Sequence, residues 1–285
     1  MGSIVGVDVG ATGVRAVEVT STGGDVTVKR AGTIPLPAGT MDRGGVSDTV
    51  QVEAAVKALW RKKHLGRKVA LVLGGHRDIV ARPATVPYLP NPQHMRGVVL
   101  ADAKDILPIG LDRIYVGHHI VGVREEPVEG KKPRRVADIM LVGADRKLVD
   151  NLVLPFEKAG LEVVSVDYAP FALTRLVAAA GTDPNKLDVL VHLGAQTVMV
   201  VGVLNGQTSL IRMMNDFSGE AITLQMQDLY NLPLEEAEQV KLQASADLAE
   251  GRDSEEADAL NTWVAAIVKE TRSTISAAVG FAYAL

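Results

Sequence analysis

The stretch VGVDVGATGVRAVEV, residues Val5–Val19, contains two β-branched runs joined by a turn of small residues. Alternating apolar positions in each run predict two strands. Asp8 comes just ahead of the first glycine of the turn. Gly10 and Gly13 allow the backbone conformations of a tight bend, so the chain can return directly as a second strand. The pattern therefore predicts a hairpin at the start of the chain.

A second stretch, VLVHLGAQTVMVVGV at Val189–Val203, aligns with the first without a gap. Gly194 falls on Gly10, and Ala195 falls on Ala11. A glycine-containing turn and a third β-rich run follow each copy. Chance similarity between two valine-rich hairpins is one explanation. The ungapped match through the turn favours an internal duplication, and hence two halves of one α/β fold.

The segments between the two copies alternate between helical and strand patterns, as expected for an α/β chain. Several prolines punctuate a strand–helix–strand pattern after residue 76, which indicates a small α+β insert. We predict a first domain made of residues 1–75 and 134–185, an insert at residues 76–133, and a second domain at residues 186–285.

The second domain is predicted to contain three helical regions. Residues 219–230 and 234–241 have helical spacing, and one long helix begins at residue 257. The small and charged residues of the segment 244–258 are typical of an exposed connection.

Composition excludes several classes of protein. The chain has 285 residues, of which 47% are hydrophobic, enough for two ordinary domains. Its net charge of −4 gives no electrostatic case for binding nucleic acid. It has no cysteine, which excludes disulfides and cysteine metal sites. The longest uncharged stretch, residues 189–211, is too polar for a membrane span and is expected to be a buried pair of strands. The first residues do not have the pattern of a signal peptide.

The two predicted turns suit an anion. Backbone N–H groups that converge in a tight bend of small residues form an anion-binding nest. Two such turns from duplicated halves would hold one polyphosphate between them. Asp8, at the end of the first strand, could face a hydrated Mg²⁺, because this ion keeps its water ligands. An aspartate before a tight turn is also ordinary turn chemistry, and this alternative stays open.

Both turn stretches resemble the phosphate motifs of the actin, sugar kinase and Hsp70 superfamily. Residues 79–109, 141–176 and 218–241 resemble one branch of it, the type IV pilus assembly PilM family, a relative of FtsA. The resemblance covers nearly the whole chain. It implies an α/β fold of the actin-like (ribonuclease H-like) type, duplicated and carrying the small inserted subdomain.

The resemblance also implies a site for ATP and Mg²⁺, with the Mg²⁺ held by Asp8 through water. The residues expected to bind nucleotide are Asp8, Gly10, Ala11, Thr12, Gly194, Ala195, Gln196, Thr197, Gly219, Glu220, Glu238 and Lys241. The two turns would contact phosphates, and Glu238 and Lys241 would lie near the ribose and base. Alternatively, the threonines are plain turn residues, and Glu238 and Lys241 are a surface pair on one helix.

Two departures from the family pattern concern catalysis. His192 stands where the second phosphate motif of the family opens with an aspartate. It carries no fixed negative charge, so we expect at most a weak ATPase and assign no catalytic residue. A packed histidine at the end of a strand is the structural alternative. The chain also ends before the glycine-rich turn that covers adenine in the family, so we expect an incomplete second half and weak nucleotide binding.

The resemblance implies a cytoplasmic scaffold of type IV pilus assembly, held at the inner face of the cell membrane through its partners. The expected partner is the cytoplasmic N-terminal tail of a PilN-like protein, bound in a groove beside the insert. Other pilus platform and motor proteins, and self-association, are further expected contacts. The insert residues that could contact the tail are Arg77, Arg82, Arg96, Val86, Tyr88, Leu89, Ile106 and Ile109. For most of the apolar ones, the favoured alternative is that they form the small core of the insert.

Two alternative functions remain open from the sequence. One is a filament-forming ATPase like FtsA or MreB. The other is an enzyme of the sugar-kinase superfamily, for which Asp167 is the other acid that could act near a phosphate.

Overall fold

The structure is a computed structural model that describes residues 2–107, 109–130, 132–181, 183 and 186–282, with side chains up to residue 276. Residues 184 and 185, at the predicted boundary between the domains, lie outside the described residues. The chain divides into two compact units. The first contains residues 1–187 and 203–209, and the second contains residues 188–202 and 210–285.

A five-stranded sheet forms the centre of the first unit, in the order β10–β6–β1–β2–β3. Its strands are β1 (Ser3–Gly10), β2 (Gly13–Thr22), β3 (Asp25–Pro35), β6 (Lys68–Leu73) and β10 (Glu162–Tyr168). β1, β2 and β3 are antiparallel neighbours, whereas β6 runs parallel to both β1 and β10. The predicted hairpin is therefore confirmed.

Helices α1 (Thr49–Lys63) and α3 (Arg146–Lys158) pack against this sheet and against each other. Asp48 caps α1 and Asp145 caps α3, because each carboxylate accepts two N–H bonds from the first turn. Phe156 of α3 is fully buried in the shared core. Three short elements complete the unit: β4 (Met41–Asp42), β5 (Gly45–Val46) and α4 (Ala169–Ala179).

The insert is a three-stranded antiparallel sheet with one helix on it. Its elements are β7 (Ile79–Pro87), α2 (Pro92–Ile106), β8 (Ile114–Glu126) and β9 (Arg134–Asp145), and its strand order is β7–β9–β8. β9 is the central strand, so the sheet extends beyond residue 133, where the sequence pattern placed the end of the insert. Met95 and Val99 of α2 are buried against Ile139 of β9.

The second unit repeats the three-strand arrangement that begins the first. Its sheet has the order β11–β12–β13 and is followed by three helices. The elements are β11 (Leu187–Leu193), β12 (Val198–Leu204), β13 (Gln207–Met213), a 3₁₀ turn (Asn215–Phe217), α5 (Gly219–Tyr230), α6 (Leu234–Glu250) and α7 (Glu255–Ala282). Leu187 and residues 203–209, which include the turn between β12 and β13, are grouped with the first unit.

Two expectations for the second unit are corrected. The segment predicted as an exposed connection from residue 244 is helical up to Glu250, because alanine and glutamate favour a helix and Ala244 is buried. Gly251, with a positive φ, ends that helix. β12 is buried as predicted, but Val189, Val191 and Leu193 of β11 are more than one-third exposed. These three residues alternate along the strand and therefore lie on one face of it.

Within the residues that the structure describes, no helix is long and apolar enough to cross a membrane.

Candidate functional site

The first predicted turn joins β1 to β2 and is as tight as the sequence indicates. Gly10 and Gly13 face each other across the ladder, with Ala11 and Thr12 between them. A Cβ atom on Gly13 would lie 2.5 Å from the carbonyl oxygen of Ile34, so the neighbouring strand leaves room for glycine only. The close approach of β3 therefore requires glycine at position 13.

Arg15 is a residue of this site that the sequence reasoning missed. Its guanidinium donates to Asp8 Oδ2 at 3.2 Å and to Thr12 Oγ1 at 2.9 Å. The three side chains form one polar group at the turn, and about half of the Arg15 and Asp8 side chains remains exposed. Arg15 lies directly opposite Asp8 in the ladder, and the register of the predicted hairpin could have revealed the pair.

The second predicted turn joins β11 to β12 and holds the start of α5. Gly194 N–H donates to the carbonyl oxygen of Thr197 at 2.9 Å, and a Cβ atom on Gly194 would lie 2.6 Å from that oxygen. The N–H groups of Gly219 and Glu220 donate to the carbonyl oxygens of Gly194 and Ala195 at 3.0 and 2.7 Å. These two N–H groups of α5 are therefore engaged in the turn itself.

Lys241 and Glu238 of α6 form hydrogen bonds with the first turns of α5. Lys241 Nζ lies 3.1 Å from the carbonyl oxygen of Gly219, 2.8 Å from Thr223 Oγ1 and 2.6 Å from Glu238 Oε2. Burial disfavours the Glu238 carboxylate, but hydrogen bonds from Lys241 and Thr223 outweigh it, so the pKa of Glu238 is lowered. The Lys241 side chain is only 17% exposed, so the pair is part of a polar network at the start of α5.

The predicted nucleotide residues thus form two groups, one in each unit. Asp8, Gly10, Ala11 and Thr12 lie together at the first turn. Gly194, Ala195, Gln196, Thr197, Gly219, Glu220, Glu238 and Lys241 lie at the second turn and the elements bonded to it. The roles of these residues toward a nucleotide remain predictions.

Two further acid–base expectations can be compared with the structure. His192, for which a packed environment was the alternative, is exposed at the end of β11. Asp167, the acid considered for catalysis, forms an ion pair with Arg175 of α4. Among the described residues, no cluster of three or more histidines, aspartates or glutamates has the arrangement of a metal site.

The first unit also contains a groove of about 740 Å³. One wall is formed by Tyr115–His118 of β8, and another is formed by α3 residues between Val149 and Glu157. The floor is made by the ends of β6 and β10 and by Phe171 of α4. Val142 and Ala144 of β9, which pair with Gly117 and Tyr115, also line the groove. Among the described residues β8 is the last strand of its sheet, so its outer edge is unpaired.

Acidic side chains give the groove its charge. Asp150, Glu157 and Asp167 line it, and no lysine or arginine is among its lining residues in the described part of the chain. Burial raises the pKa of Tyr168 to about 12, so this phenol stays neutral. Burial, helped by the charge of Arg96, lowers the pKa of His118, so its imidazole does not offset the carboxylates at neutral pH.

The insert residues that sequence reasoning assigned to a peptide do not line this groove. Val86 is buried in the insert core, and Tyr88, Ile106 and Ile109 pack against it. These four apolar residues thus pack in the core between α2 and its sheet, which confirms the alternative expected for most of them. A better signal was the uncharged run from Ile114 to Ile120, which forms the first half of the edge strand β8.

The comparisons with known proteins agree with this architecture. A family described as type IV pilus assembly protein PilM matches residues 6–278. Among solved structures, a PilM–PilN type IV pilus biogenesis complex has 22% sequence identity and a TM-score of 0.77. That match covers 96% of this chain and 76% of the other chain, and with it the predicted actin-like α/β fold is confirmed.

More distant structures are also similar. The ethanolamine utilization protein EutJ from Carboxydothermus hydrogenoformans has 17% identity and a TM-score of 0.47, over 85% of this chain and 61% of its own. MreB5 of Spiroplasma citri bound to ADP has 12% identity and a TM-score of 0.42, over 84% of this chain and 61% of its own. The sequence match across nearly the whole length shows that the chain belongs to the family of type IV pilus assembly proteins described as PilM.

Proposed function

We propose that this chain is a cytoplasmic scaffold of the type IV pilus machine and binds the N-terminal tail of a PilN-like protein in the groove of the first unit. The observation that carries this proposal is the unpaired edge of β8 along a groove of about 740 Å³. An extended peptide can add to such an edge as a further strand, with its backbone bonded to the edge and alternate side chains in the groove.

The β8 edge differs from the edges of β7 and β3 in this unit. β7 carries Pro83 and Pro87, which cannot donate to a new ladder. β3 carries Lys29 and Arg30 beside a bulge. Prolines, charges and bulges protect edges against unwanted pairing. Ile114–Ile120 has no charged residue and no proline. This stretch offers about 20 Å of extended backbone, at about 3.3 Å for each residue.

Two glycines on β8 provide a matched test. A Cβ atom at Gly117 or at Gly122 would have no heavy atom within 4 Å, so either can take a larger side chain. Only Gly117 lines the groove. We expect Gly117→Leu to weaken binding of a peptide copied from the cognate PilN-like N-terminus, whereas Gly122→Leu leaves it unchanged. Equal binding by both variants, measured by fluorescence anisotropy, would place the peptide elsewhere.

We also propose that the two turns bind ATP with Mg²⁺, weakly. Each turn contains a glycine at which a Cβ atom would collide with backbone, as expected for a tight bend of small residues, and such bends can form anion-binding nests. Arg15 supplies a positive charge at the first turn. Asp8 would hold Mg²⁺ through water, and the ion would neutralise phosphate charge when bound. Calorimetry with Mg·ATP tests this proposal, and submicromolar affinity or rapid turnover would contradict it.

A further inference from the structure

The groove wall formed by α3 has a definite pattern. Asp150, Val153, Leu154 and Glu157 all line the groove. Their spacing of three, four and seven residues places them on one face of the helix. The two carboxylates are about 10 Å apart along the helix axis, at a rise of about 1.5 Å per residue. Two apolar side chains lie between them.

The three acids of the groove differ in their partners. Asp150 accepts a hydrogen bond from the hydroxyl of Tyr115 at 3.0 Å, and Asp167 is paired with Arg175. For the Glu157 carboxylate, the described residues provide no hydrogen bond and no ion pair. Among these three acids, Glu157 is therefore the one whose charge is not already engaged by the described part of the protein.

We infer that the groove selects a segment with a lysine or arginine facing Glu157 and apolar side chains facing Val153 and Leu154. This inference rests on the proposed function, because it describes the chemistry of the tail that the groove would bind. Charged groups on groove walls attract ligands of opposite charge and reject those of like charge. The bound segment should therefore contain few acids.

The spacing of the wall also fits an extended segment. Val153 and Glu157 are one helical turn apart, about 6 Å along the axis. Side chains on the same side of a strand repeat every two residues, about 6.7 Å. An apolar residue and a basic residue separated by one position would thus meet Val153 and Glu157 together. Tyr115, stacked under Arg146 at 4.4 Å, closes the Asp150 end of the wall.

The experiment uses the full chain and the peptide copied from the cognate PilN-like N-terminus, with binding measured by fluorescence anisotropy at low and high salt. The peptide is compared with forms in which each lysine or arginine is replaced by glutamine or by glutamate. The protein variants are Glu157→Gln and Glu157→Lys. Glu162→Lys is the control, because Glu162 is an exposed acid on β10 that does not line the groove.

We expect Glu157→Gln to weaken binding about two- to fivefold at low salt, as for a partly exposed ion pair. Glu157→Lys should weaken it further, and a peptide with glutamate at the matching position should bind this variant better than it binds the unchanged protein. Glu162→Lys should bind like the unchanged protein. High salt should reduce all of these differences.

Two results separate the inference from the proposed function. If Gly117→Leu abolishes binding but Glu157→Lys and all charge-altered peptides bind as before, the inference is wrong and the peptide groove stands. A cognate tail that binds without any lysine or arginine would also contradict the inference and leave the groove in place. If the peptide does not bind, or Gly117→Leu has no effect on its binding, the proposed function fails and the inference fails with it.

Discussion

The Arg15 guanidinium lies 3.2 Å from the Asp8 carboxylate, and the two residues are direct partners across the β1–β2 ladder. The ion pair places a positive charge at the phosphate-type turn and, at the same time, engages the acid expected to face Mg²⁺. A bound nucleotide would have to compete with Asp8 for Arg15. This competition is a physical reason to expect weak binding.

Replacing Arg15 tests its role at the turn. We expect Arg15→Met to lower Mg·ATP affinity, because the turn would lose its adjacent cation and its hydrogen bond to Thr12. Lys29→Met is the control, since it removes one positive charge from the same sheet. Calorimetry measures both. Equal ATP affinity in the two variants would show that Arg15 has no part in nucleotide binding.

Replacing Lys241 tests the polar network at the start of α5. Lys241→Met should lower the free energy of unfolding by about 1–3 kcal/mol, because the Gly219 carbonyl and Glu238 lose a mostly buried partner. The exposed pair of Lys57 and Glu53 gives a comparison: Lys57→Met should cost less than about 1 kcal/mol. Urea unfolding measures both, and equal losses would contradict the network.

Alanine substitutions at two glycines test whether the first turn has no room for a side chain. Gly13→Ala should destabilise the first unit, because its Cβ atom would collide with the backbone of Ile34. Gly97→Ala should stabilise it by about 0.5–1 kcal/mol, because Gly97 lies within α2 and its added methyl group meets no atom. If the two changes have the same sign in thermal unfolding, the close contact at the turn is not present.

The stability of the insert should depend on pH through the carboxyl group of Asp138. Hydrogen bonds from Arg124 and Thr85 lower the pKa of Asp138 below its usual value of 3.8. A carboxyl with a lowered folded-state pKa stabilises the fold above its unfolded pKa, and this stabilisation is lost as pH falls through the folded pKa. Asp138→Asn should therefore reduce the loss of stability below about pH 4. The exposed Asp105→Asn is the control, and identical pH profiles would contradict the assignment.

The sequence predicts the parts of this fold that depend on local pattern. The tight turns at Gly10 and Gly194 follow from glycine and alternating β-branched residues, and the duplicated meander follows from aligning them. The central position of β9 could not be predicted, because strand order depends on pairing between distant segments. The residues that line the groove beside the insert could not be predicted for the same reason: Tyr115, Glu157 and Phe171 are far apart in the sequence and meet only in the folded unit.

Amide hydrogen exchange of β8 tests the central claim most directly. The cognate PilN-like tail peptide is added to the full chain, and exchange is followed along Ile114–Ile120. If the peptide pairs with this edge, alternate amides between Tyr115 and His118 should exchange more slowly when it is bound, while those of the edge strand β3 do not change. Binding in the groove would be contradicted if saturating peptide left the exchange of the β8 amides unchanged, or if it slowed the exchange of the β3 amides instead.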